Sequence, residues 1–193
     1  KTMKGGYVMR KTILFIAMSL DGFIADKNGK VFWLAGEDAN QNDMITYETF
    51  IQGVDTVIMG ANTYHQLRTE ISPKQWIYPT LTSYIITHQT EASTEKIRFT
   101  MEDPVALIRH LKTQLGKDIW ICGGASIVNQ IMQADSIDRY HINVIPTLLG
   151  TGIRLFHNTD IERKLTLLHT QSYNGIVDLV YERRTASSSF DVK

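Results

Sequence analysis

The chain has 193 residues, of which 43% are hydrophobic, 21% charged and 9% aromatic, enough for one globular domain with a sizeable core and too few for two ordinary domains. Lys and Arg together number 20, and Asp and Glu together also number 20, so the formal net charge is zero. The sequence therefore has no excess of positive charge with which to bind a nucleic-acid backbone, and no nucleic-acid partner is expected. The longest uninterrupted apolar run, Ile13 to Met18, is far shorter than the roughly 20 residues of a membrane span, so no membrane partner is expected.

Both ends of the chain differ from the region between them. Residues 1–8 and the Ser-rich tail 185–193 are typical of flexible ends, which leaves 9–184 as the single predicted domain. The positive-then-apolar start resembles a secretory signal, but its apolar stretch is shorter than the core of about 7–15 residues that a signal needs. With one cysteine, Cys122, no internal disulfide can form. These features fit a reducing cytoplasm.

Hydrophobic periodicity and turn residues predict alternating strands and helices. In chain order, the pattern predicts strand 11–18, strand 23–25, helix 40–52, strand 54–59, helix 60–67, strand 83–87, strand 97–100, helix 104–115, strand 118–122, helix 125–133, and strands 139–145, 165–172 and 176–183. Alternation of this kind favours an α/β sheet covered on both faces. The last two strands flank Asn174-Gly175, a two-residue hairpin turn, and predict an antiparallel edge.

Two of the predicted helices have apolar residues at helical spacing. The helix after Asp103 has that residue as its N-cap, Pro104 at its first position and Gly116 as its stop. Its predicted buried face consists of Val105, Ile108, Leu111 and Leu115. The helix 40–52 is predicted from the helical spacing of Met44, Ile45, Phe50 and Ile51.

Two places repeat one arrangement, in which a hydrophobic strand ends in glycine and a helix begins at once: Val57–Tyr64 and Trp120–Ile127. Such turns present free backbone N–H groups and the positive end of a helix, which together bind phosphate. Glycine at 123 and 124 removes the Cβ that would hinder a pyrophosphate, and the Ser126 or Thr63 hydroxyl offers a further donor. Each turn taken alone is equally well explained as a tight connection.

Other chemistries find little support in the sequence. An ordinary Rossmann domain is disfavoured, because Ile127 and Val128 stand where the third glycine of G-x-G-x-x-G is needed. The six histidines show no H-x-x-x-H or H-x-H pairing, so no metal site is expected. No Gly-x-Ser-x-Gly elbow supports serine-hydrolase chemistry. Cys122, inside an apolar strand, is typical of a packed core thiol.

Four ordered motifs resemble one family of proteins. They are Ile16-Ala17-Met18-Ser19-Leu20-Asp21-Gly22-Phe23-Ile24-Ala25, Val57-Ile58-Met59-Gly60-x-x-Thr63-Tyr64, Ile121-Cys122-Gly123-Gly124-Ala125, and Pro146-x-Leu148-Leu149-Gly150-x-Gly152-x-x-Leu155-Phe156. Over residues 9–184 the chain resembles the dihydrofolate reductase superfamily, most of all the reductase domain of riboflavin biosynthesis and its stand-alone relatives.

The resemblance implies a fold and an activity. The expected fold is a three-layer α/β/α domain whose mixed, mainly parallel central sheet has about eight strands, with an antiparallel C-terminal hairpin. The expected activity is an NADPH-dependent reduction of a heterocyclic or ribosylaminopyrimidine substrate, as in the riboflavin-pathway reductase. A divergent dihydrofolate reductase and a non-catalytic nucleotide-binding module stay open as alternatives. A homodimer is implied as well, with the apolar region 142–149 as a candidate interface.

The resemblance also implies which residues bind the cofactor. The pyrophosphate is expected at Gly123, Gly124, Ala125, Ser126 and Ile127. The adenosine side and its phosphates are expected at Gly60, Asn62 and Thr63, the adenine ribose at Thr87 and His88, and the nicotinamide at Ala17 and Met18. Many relatives carry a basic residue where this chain has Ala61, which leaves the choice between NADPH and NADH open. His88, Arg68 and Arg98 are the candidates to replace that charge.

Two carboxylates are candidates for the chemistry at the substrate. Hydride addition to a C=N or C=O bond needs a proton at the heteroatom, which a carboxylate or an ordered water usually supplies. Asp38 follows Trp33 at the spacing found in dihydrofolate reductases, although capping the helix near Asn40 would explain it equally well. Asp21 matches the riboflavin-branch motif and is expected at the substrate end of the cleft. An ordinary Asp-Gly turn is its alternative explanation.

Overall fold

The apolar, β-branched runs of the sequence form the strands of a central sheet. The computed structural model describes residues 3–4 and 7–184. Its strands are β1 (Met3–Lys4), β2 (Tyr7–Val8), β3 (Thr12–Ser19), β4 (Phe23–Ala25), β5 (Val54–Gly60), β6 (Thr82–Ile86), β7 (Ile97–Thr100), β8 (Asp118–Gly123), β9 (Arg139–Ile145), β10 (Ile153–Arg154), β11 (Leu165–Tyr173) and β12 (Ile176–Arg183). Its helices are α1 (Ile45–Ile51), α2 (Ala61–Gln66), α3 (Pro104–Lys112) and α4 (Ala125–Gln133), and a π-helical turn, Leu67–Ile71, continues α2.

The central sheet has eight strands in the order β11-β12-β9-β3-β8-β5-β6-β7. The six strands from β9 to β7 in this order are parallel to one another. β12 pairs antiparallel with β9, and β11 pairs antiparallel with β12. The expected mixed, mainly parallel sheet with an antiparallel C-terminal hairpin is confirmed. We call the edge at which the parallel strands end, after Ser19, Gly60, Ile86, Gly123 and Ile145, the carboxyl edge. In sheets of this type, ligands bind outside that edge.

Helices cover both faces of the sheet. Successive side chains of a strand point to opposite faces, so a continuously apolar strand such as β3 packs on both sides. Leu14 of β3 packs into a core formed mainly with α3 and α4, which we call the α3–α4 face. Its neighbour Phe15 packs into the second core, with Trp120 and residues of α1 and α2, which we call the α1–α2 face. Phe15 is stacked on Phe50 of α1 at a ring-centroid distance of 4.2 Å. Two separate cores therefore share one sheet, as a three-layer domain requires.

The helix predicted after Asp103 is confirmed at its start and differs at its end. The Asp103 carboxylate accepts hydrogen bonds from the backbone N–H groups of Val105 at 3.0 Å and Ala106 at 2.9 Å. The helix ends at Lys112, and Leu115 is 79% exposed, so its predicted place on the buried face is wrong. Beyond the helix the chain is bound to Asp55: Lys117 N donates to Asp55 Oδ2 at 2.7 Å, and the same oxygen would be 2.5 Å from a Cβ at Gly116.

The helix predicted at 40–52 begins only at Ile45. The predicted start at residue 40 is wrong, and Met44 and Ile45, whose spacing supported the prediction, are 49% and 54% exposed. Side chains before the helix bond to the backbone two residues on: Asn42 Oδ1 accepts from Met44 N at 2.8 Å, and Asp38 Oδ1 accepts from Asn40 N at 2.9 Å. Such local bonds offer the backbone an alternative to helix.

A buried arginine joins three parts of the chain at the amino ends of the parallel strands. Arg10 is 5% exposed and forms an ion pair with Asp55. Its guanidinium also donates to Thr56 Oγ1 at 2.6 Å and to the carbonyl oxygens of Lys117 at 2.6 Å and Leu111 at 3.3 Å. These bonds connect the chain before β3 to β5, to the last turn of α3 and to the residue before β8.

Short elements complete the fold. β10 pairs antiparallel with β4 outside the main sheet; at two residues it is too short to produce a periodic pattern. β1 pairs with β2. Residues 1–2, 5–6 and 185–193 lie outside the described residues, so the flexible ends and the domain bounds 9–184 stay predictions. Of the helices that the structure describes, none combines the length and the apolar character needed to cross a membrane.

Candidate functional site

The two glycine turns lie side by side at the carboxyl edge. β5 and β8 are neighbouring parallel strands, with Met59 opposite Gly123. A Cβ built on Gly124 would lie 3.4 Å from Thr63 Oγ1, and one built on Gly60 would lie 3.4 Å from Ile127 Cγ1. Gly60 is thus packed against α4, and Gly124 is packed against α2. We call the backbone of these two adjacent turns, Gly60 and Gly123-Gly124, the glycine strip.

The helices that begin at this strip leave backbone donors available. α2 starts after Gly60 and α4 starts after Gly124, and neither helix has a side-chain cap. The N–H groups of a first helical turn have no partner within their own helix. Together with the positive end of the helix dipole, they favour an anionic group at this point. Gly123 has a φ of +131°, a left-handed conformation that favours glycine, and the Gly123–Gly124 peptide is cis.

Predicted cofactor residues from four neighbouring strands lie in a row along the carboxyl edge. The neighbouring strands β3, β8, β5 and β6 bring Ala17, Gly123, Gly60 and Thr87 to successive positions. Ala17 is on the α1–α2 face, with the same side-chain parity as Phe15, and Met18 packs against the core of the opposite face. Thr87 is buried, and its Oγ1 accepts from Gln89 N at 3.1 Å. The structure brings these residues together, while their contacts with a cofactor stay predictions.

The cationic residues considered as replacements at position 61 have different surroundings. Ala61 is half-buried against the α1–α2 core. Arg98 donates to Tyr84 Oη at 3.0 Å and lies over the ring of that tyrosine. His88 is exposed directly beyond β6, and Arg68 is half-buried in the π-helical turn after α2. Which of the three would pair with a phosphate near Ala61 stays a prediction.

Asp21 anchors a loop at the carboxyl edge. Its carboxylate accepts hydrogen bonds from Ser19 Oγ at 2.6 Å, Leu149 N at 3.1 Å and Gly150 N at 2.7 Å. The bond from Ser19, together with those from the Gly150 and Leu149 amides, lowers the pKa of Asp21 to about 2 against the opposing effect of desolvation. The carboxylate thus joins the first and the last of the four sequence motifs. A role toward substrate stays a prediction for Asp21.

Asp38 lies on an exposed loop between β4 and α1. Its carboxylate accepts from the backbone N–H of Asn40 at 2.9 Å and from Asn40 Nδ2 at 3.0 Å, and these bonds lower its pKa. It caps no helix, because α1 begins seven positions further on, at Ile45. Both peptide groups around Asp38 are bound by Asn174 of the hairpin turn. A catalytic role for Asp38 stays a prediction.

Sequence reasoning missed a polar cluster on the sheet beside Ala17. Asn143 of β9 is in register with Ala17 on one side and with Asp178 of β12 on the other. Asp178 is fully buried and accepts hydrogen bonds from Asn143 Nδ2 and, at 3.0 Å, from Gln171 Nε2. The Tyr173 hydroxyl lies 3.4 Å from both Asn143 Nδ2 and Asp178 Oδ1. Polar residues inside apolar strands were the available signal.

The buried carboxylate of this cluster is kept ionised by its neighbours. Burial alone raises the pKa of Asp178, but the neighbouring His141 imidazole and the hydrogen bonds from Gln171 and Asn143 together bring it below its usual value. His141 Nε2 lies 3.6 Å from Asp178 Oδ2. By contrast, burial raises the pKa of the Cys122 thiol to about 12, so this thiol is protonated and unreactive at neutral pH.

A cavity elsewhere in the molecule and the arrangement of potential metal ligands complete the description. A cavity of about 460 Å³ lies beneath α1 at the opposite end of the strands, with Ile13, Val54, Asp118 and Arg139 in its lining. Within residues 3–4 and 7–184, no group of three or more His, Cys, Asp or Glu side chains is arranged to hold a metal ion.

Comparisons with known proteins agree with this geometry. The family model described as the RibD C-terminal domain matches residues 10–177. The uncharacterized protein YwjB of Bacillus subtilis is 41% identical over 180 residues, which cover 90% of this chain and 98% of that protein. The uncharacterized protein YyaP of the same organism is 27% identical over 190 residues, covering 93% of this chain and 98% of that one.

Solved structures show the same fold. A Shewanella sp. PV-4 protein named for riboflavin biosynthesis is similar with a TM-score of 0.79 and 26% identity, over 91% of this chain and 99% of that one. A Thermotoga maritima protein, named as a diaminohydroxyphosphoribosylaminopyrimidine deaminase and 5-amino-6-(5-phosphoribosylamino)uracil reductase, is similar with a TM-score of 0.68 and 16% identity. That match covers 91% of this chain and 57% of the Thermotoga chain.

Proposed function

The chain belongs to the RibD C-terminal domain family, and from this premise we propose that it is an NADPH-dependent reductase that acts on a heterocyclic substrate of the ribosylaminopyrimidine kind. The observation that carries the proposal is that the two glycine turns, each followed by a helix without a side-chain cap, lie side by side near Ala17 of β3. A family of riboflavin-pathway reductase domains and a backbone cradle for phosphate point to the same chemistry.

The residues of the strip fit a dinucleotide cofactor. A Cβ at Gly60 or Gly124 would lie 3.4 Å from a side chain of the opposite helix, and the uncapped first turn of α4 supplies donors for the pyrophosphate. We assign the pyrophosphate to Gly123, Gly124, Ala125, Ser126 and Ile127, the adenosine side to Gly60, Asn62, Thr63, Thr87 and His88, and the nicotinamide to Ala17 and Met18. When bound, NADPH supplies the hydride for reduction of a C=N or C=O bond.

The carboxylates act through their charge in this proposal. Hydrogen bonds lower the pKa of both Asp21 and Asp38, so both are ionised at neutral pH. A group that is already ionised accepts a hydrogen bond or orients a water, whereas it holds no proton to donate. Asp21 has three donors from its own chain. Asp38 is the more exposed of the two, and we assign it to binding an amino group of the substrate.

One set of measurements tests the proposal. NADPH and NADH are titrated into the full chain by calorimetry, and NADPH oxidation is then followed with a ribosylaminopyrimidine and with dihydrofolate. NADPH binding with reduction of the pyrimidine is expected. Reduction of dihydrofolate alone would instead identify a divergent dihydrofolate reductase. NADPH binding without any turnover would identify a nucleotide-binding module, and failure of both nucleotides to bind would overturn the proposal.

A further inference from the structure

The tip of the C-terminal hairpin lies at the carboxyl edge. In β12, Val177 pairs with Val144 of β9, and Val144 pairs with Met18 of β3. The turn residues Asn174 and Gly175, which precede β12, therefore extend past the end of the strand that carries Ala17. Their φ values are +47° and +75°, as a two-residue hairpin turn with two left-handed residues requires.

Residues 36–43 form a loop, which we call the 36–43 loop. It is hydrogen-bonded to the hairpin turn through the side chain and the backbone carbonyl of Asn174. Asn174 Oδ1 accepts from Asp38 N at 2.8 Å, and Asn174 Nδ2 donates to the carbonyl of Asp38 at 3.0 Å and to Asp43 Oδ1 at 2.6 Å. The Asn174 carbonyl accepts from Glu37 N at 3.0 Å. Asp43 closes the loop by accepting from Gly36 N at 2.8 Å.

The two surfaces fit so closely that each contributes a glycine. A Cβ at Gly36 would lie 2.3 Å from Asn174 Nδ2, and a Cβ at Gly175 would lie 2.6 Å from Glu37 Cγ. Real Cβ atoms do not approach other atoms at such distances, so any larger residue at position 36 would displace the loop from the turn. The contact continues into α1, because Thr46 Oγ1 and the Tyr173 hydroxyl are 2.8 Å apart.

The turn itself does not need the amide of Asn174. Glycine also adopts a positive φ, so Gly-Gly would allow the same two-residue turn without a side chain at position 174. The amide adds one acceptor and one two-proton donor, and both are used on the 36–43 loop. Aspartate and serine lack that combination. The side chain at this position is therefore explained by the loop it holds.

We infer that Asn174 is a positioning residue that sets the 36–43 loop, and with it Asp38, at the substrate end of the cleft. The inference rests on the proposed function for its substrate, whereas the holding of the loop rests on the hydrogen bonds alone. The strands β9 and β3 separate the hairpin from the glycine strip, to which the pyrophosphate is assigned. Asn174 should thus affect the KM of the heterocyclic substrate and leave NADPH affinity unchanged.

Two variants of the full chain, Asn174→Gly and Asn174→Asp, test the inference. Asn174→Gly keeps the turn backbone and removes the amide, and Asn174→Asp keeps the acceptor but turns an oxygen toward Asp43. We expect amide hydrogen exchange in the 36–43 loop to accelerate by about tenfold or more in both variants. The substrate KM should rise about tenfold, with kcat and NADPH affinity near those of the wild type. The matched control is Asn158→Gly, in an exposed loop after β10.

A double variant separates positioning from a general loss of structure. Asn174→Asp combined with Asp43→Asn reverses the donor and the acceptor of one hydrogen bond, and should recover a large part of both the exchange protection and the KM. Unchanged loop exchange in Asn174→Gly would overturn the inference, as would accelerated exchange with an unchanged KM. If the wild type bound no nucleotide, the proposed function would fail, and loop exchange would still decide whether Asn174 holds the loop.

Discussion

Gly124 is the residue at which a side chain would do most harm to the proposed cofactor site. Its Cβ position lies 3.4 Å from Thr63 Oγ1, inside the strip between the two turns. Gly124→Asp adds bulk and a negative charge where a pyrophosphate is expected. We expect NADPH binding to be lost while far-UV circular dichroism and thermal unfolding stay close to those of the wild type.

The matched control for this substitution is Gly53→Asp. Gly53 is exposed and lies at the amino end of β5, and its Cβ position is also 3.4 Å from the nearest atom, the carbonyl oxygen of Phe50. It receives the same carboxylate at the opposite edge of the sheet. Calorimetry that finds full NADPH affinity in Gly124→Asp would assign the pyrophosphate to another part of the molecule.

Asp21 makes stability depend on pH in acid. Its pKa is lowered from 3.8 to about 2 in the folded protein, so the folded state favours the ionised form. The stabilisation is therefore present above the unfolded-state pKa of 3.8 and is lost as pH falls from about 4 through about 2. In Asp21→Asn we expect lower stability at neutral pH and a flatter decline through this window.

Urea unfolding at stepped pH measures this difference directly. Other carboxylates also titrate in acid, so the comparison of wild type with Asp21→Asn isolates the contribution of one group. Asp160→Asn, in an exposed loop, serves as the control for removing a charge. Parallel pH curves for wild type and Asp21→Asn would show that the bonds to Leu149 and Gly150 do not stabilise the ionised form.

At the scale of the elements, the cap of α3 makes a separate prediction. The Asp103 carboxylate satisfies two N–H groups of the first turn, from Val105 and Ala106. Asp103→Ala should lower the free energy of unfolding by about 1 kcal/mol, since it leaves both donors without a side-chain partner. Asp103→Asn should cost much less, because asparagine caps about as well as aspartate.

The neighbouring exposed residue provides the control for the cap. Glu102→Ala removes a carboxylate one position earlier in the chain, without a role in the cap. Urea denaturation of the three variants measures the ranking. Equal losses in Asp103→Ala and Glu102→Ala would point to a general charge effect at the helix start.

Local signals predicted most elements, and the wrong start of the helix predicted at 40–52 has an identifiable cause. α4 and β9 have the predicted bounds, since their patterns are set by buried apolar residues such as Ile131 and Ile142. The helix predicted from residue 40 failed because Asn42 bonds to the backbone locally. Hydrophobic periodicity indicates which face of a helix is apolar. It does not indicate where a polar side chain bonds to the nearby backbone and competes with the hydrogen bonds of a helix.

The candidate site was predictable only where backbone geometry depends on glycine. The turns at Gly60 and Gly124 could be found because each closes a strand and opens a helix. Their adjacency follows from the strand order, which periodicity does not give. The roles of Asn174 and Asp178 could not be read, because each depends on a partner more than 30 residues away in the sequence, Asp38 for the first and Asn143 for the second.

At the scale of the whole molecule, the Arg10 network joins segments that are distant in sequence. Asp55→Ala would leave the buried guanidinium without its counter-ion, and a buried charge that loses its partner costs about 3–5 kcal/mol. Asp55 is partly exposed, so we expect the lower end of that range, in a single cooperative transition. Asp55→Asn should cost less because it keeps an acceptor. Urea unfolding measures both variants, with Glu95→Ala as the exposed control.

The central position of β3 has a consequence for biosynthesis. This strand is made before every other strand of the main sheet, yet its partners are β8 and β9, which begin at Asp118 and Arg139. A nascent chain that ends before Asp118 therefore exposes an apolar strand with two unpaired edges, the kind of segment that aggregates or is bound by chaperones. Long-range pairing of this kind also slows folding. The middle of the sheet closes only after the ribosome has delivered most of the chain.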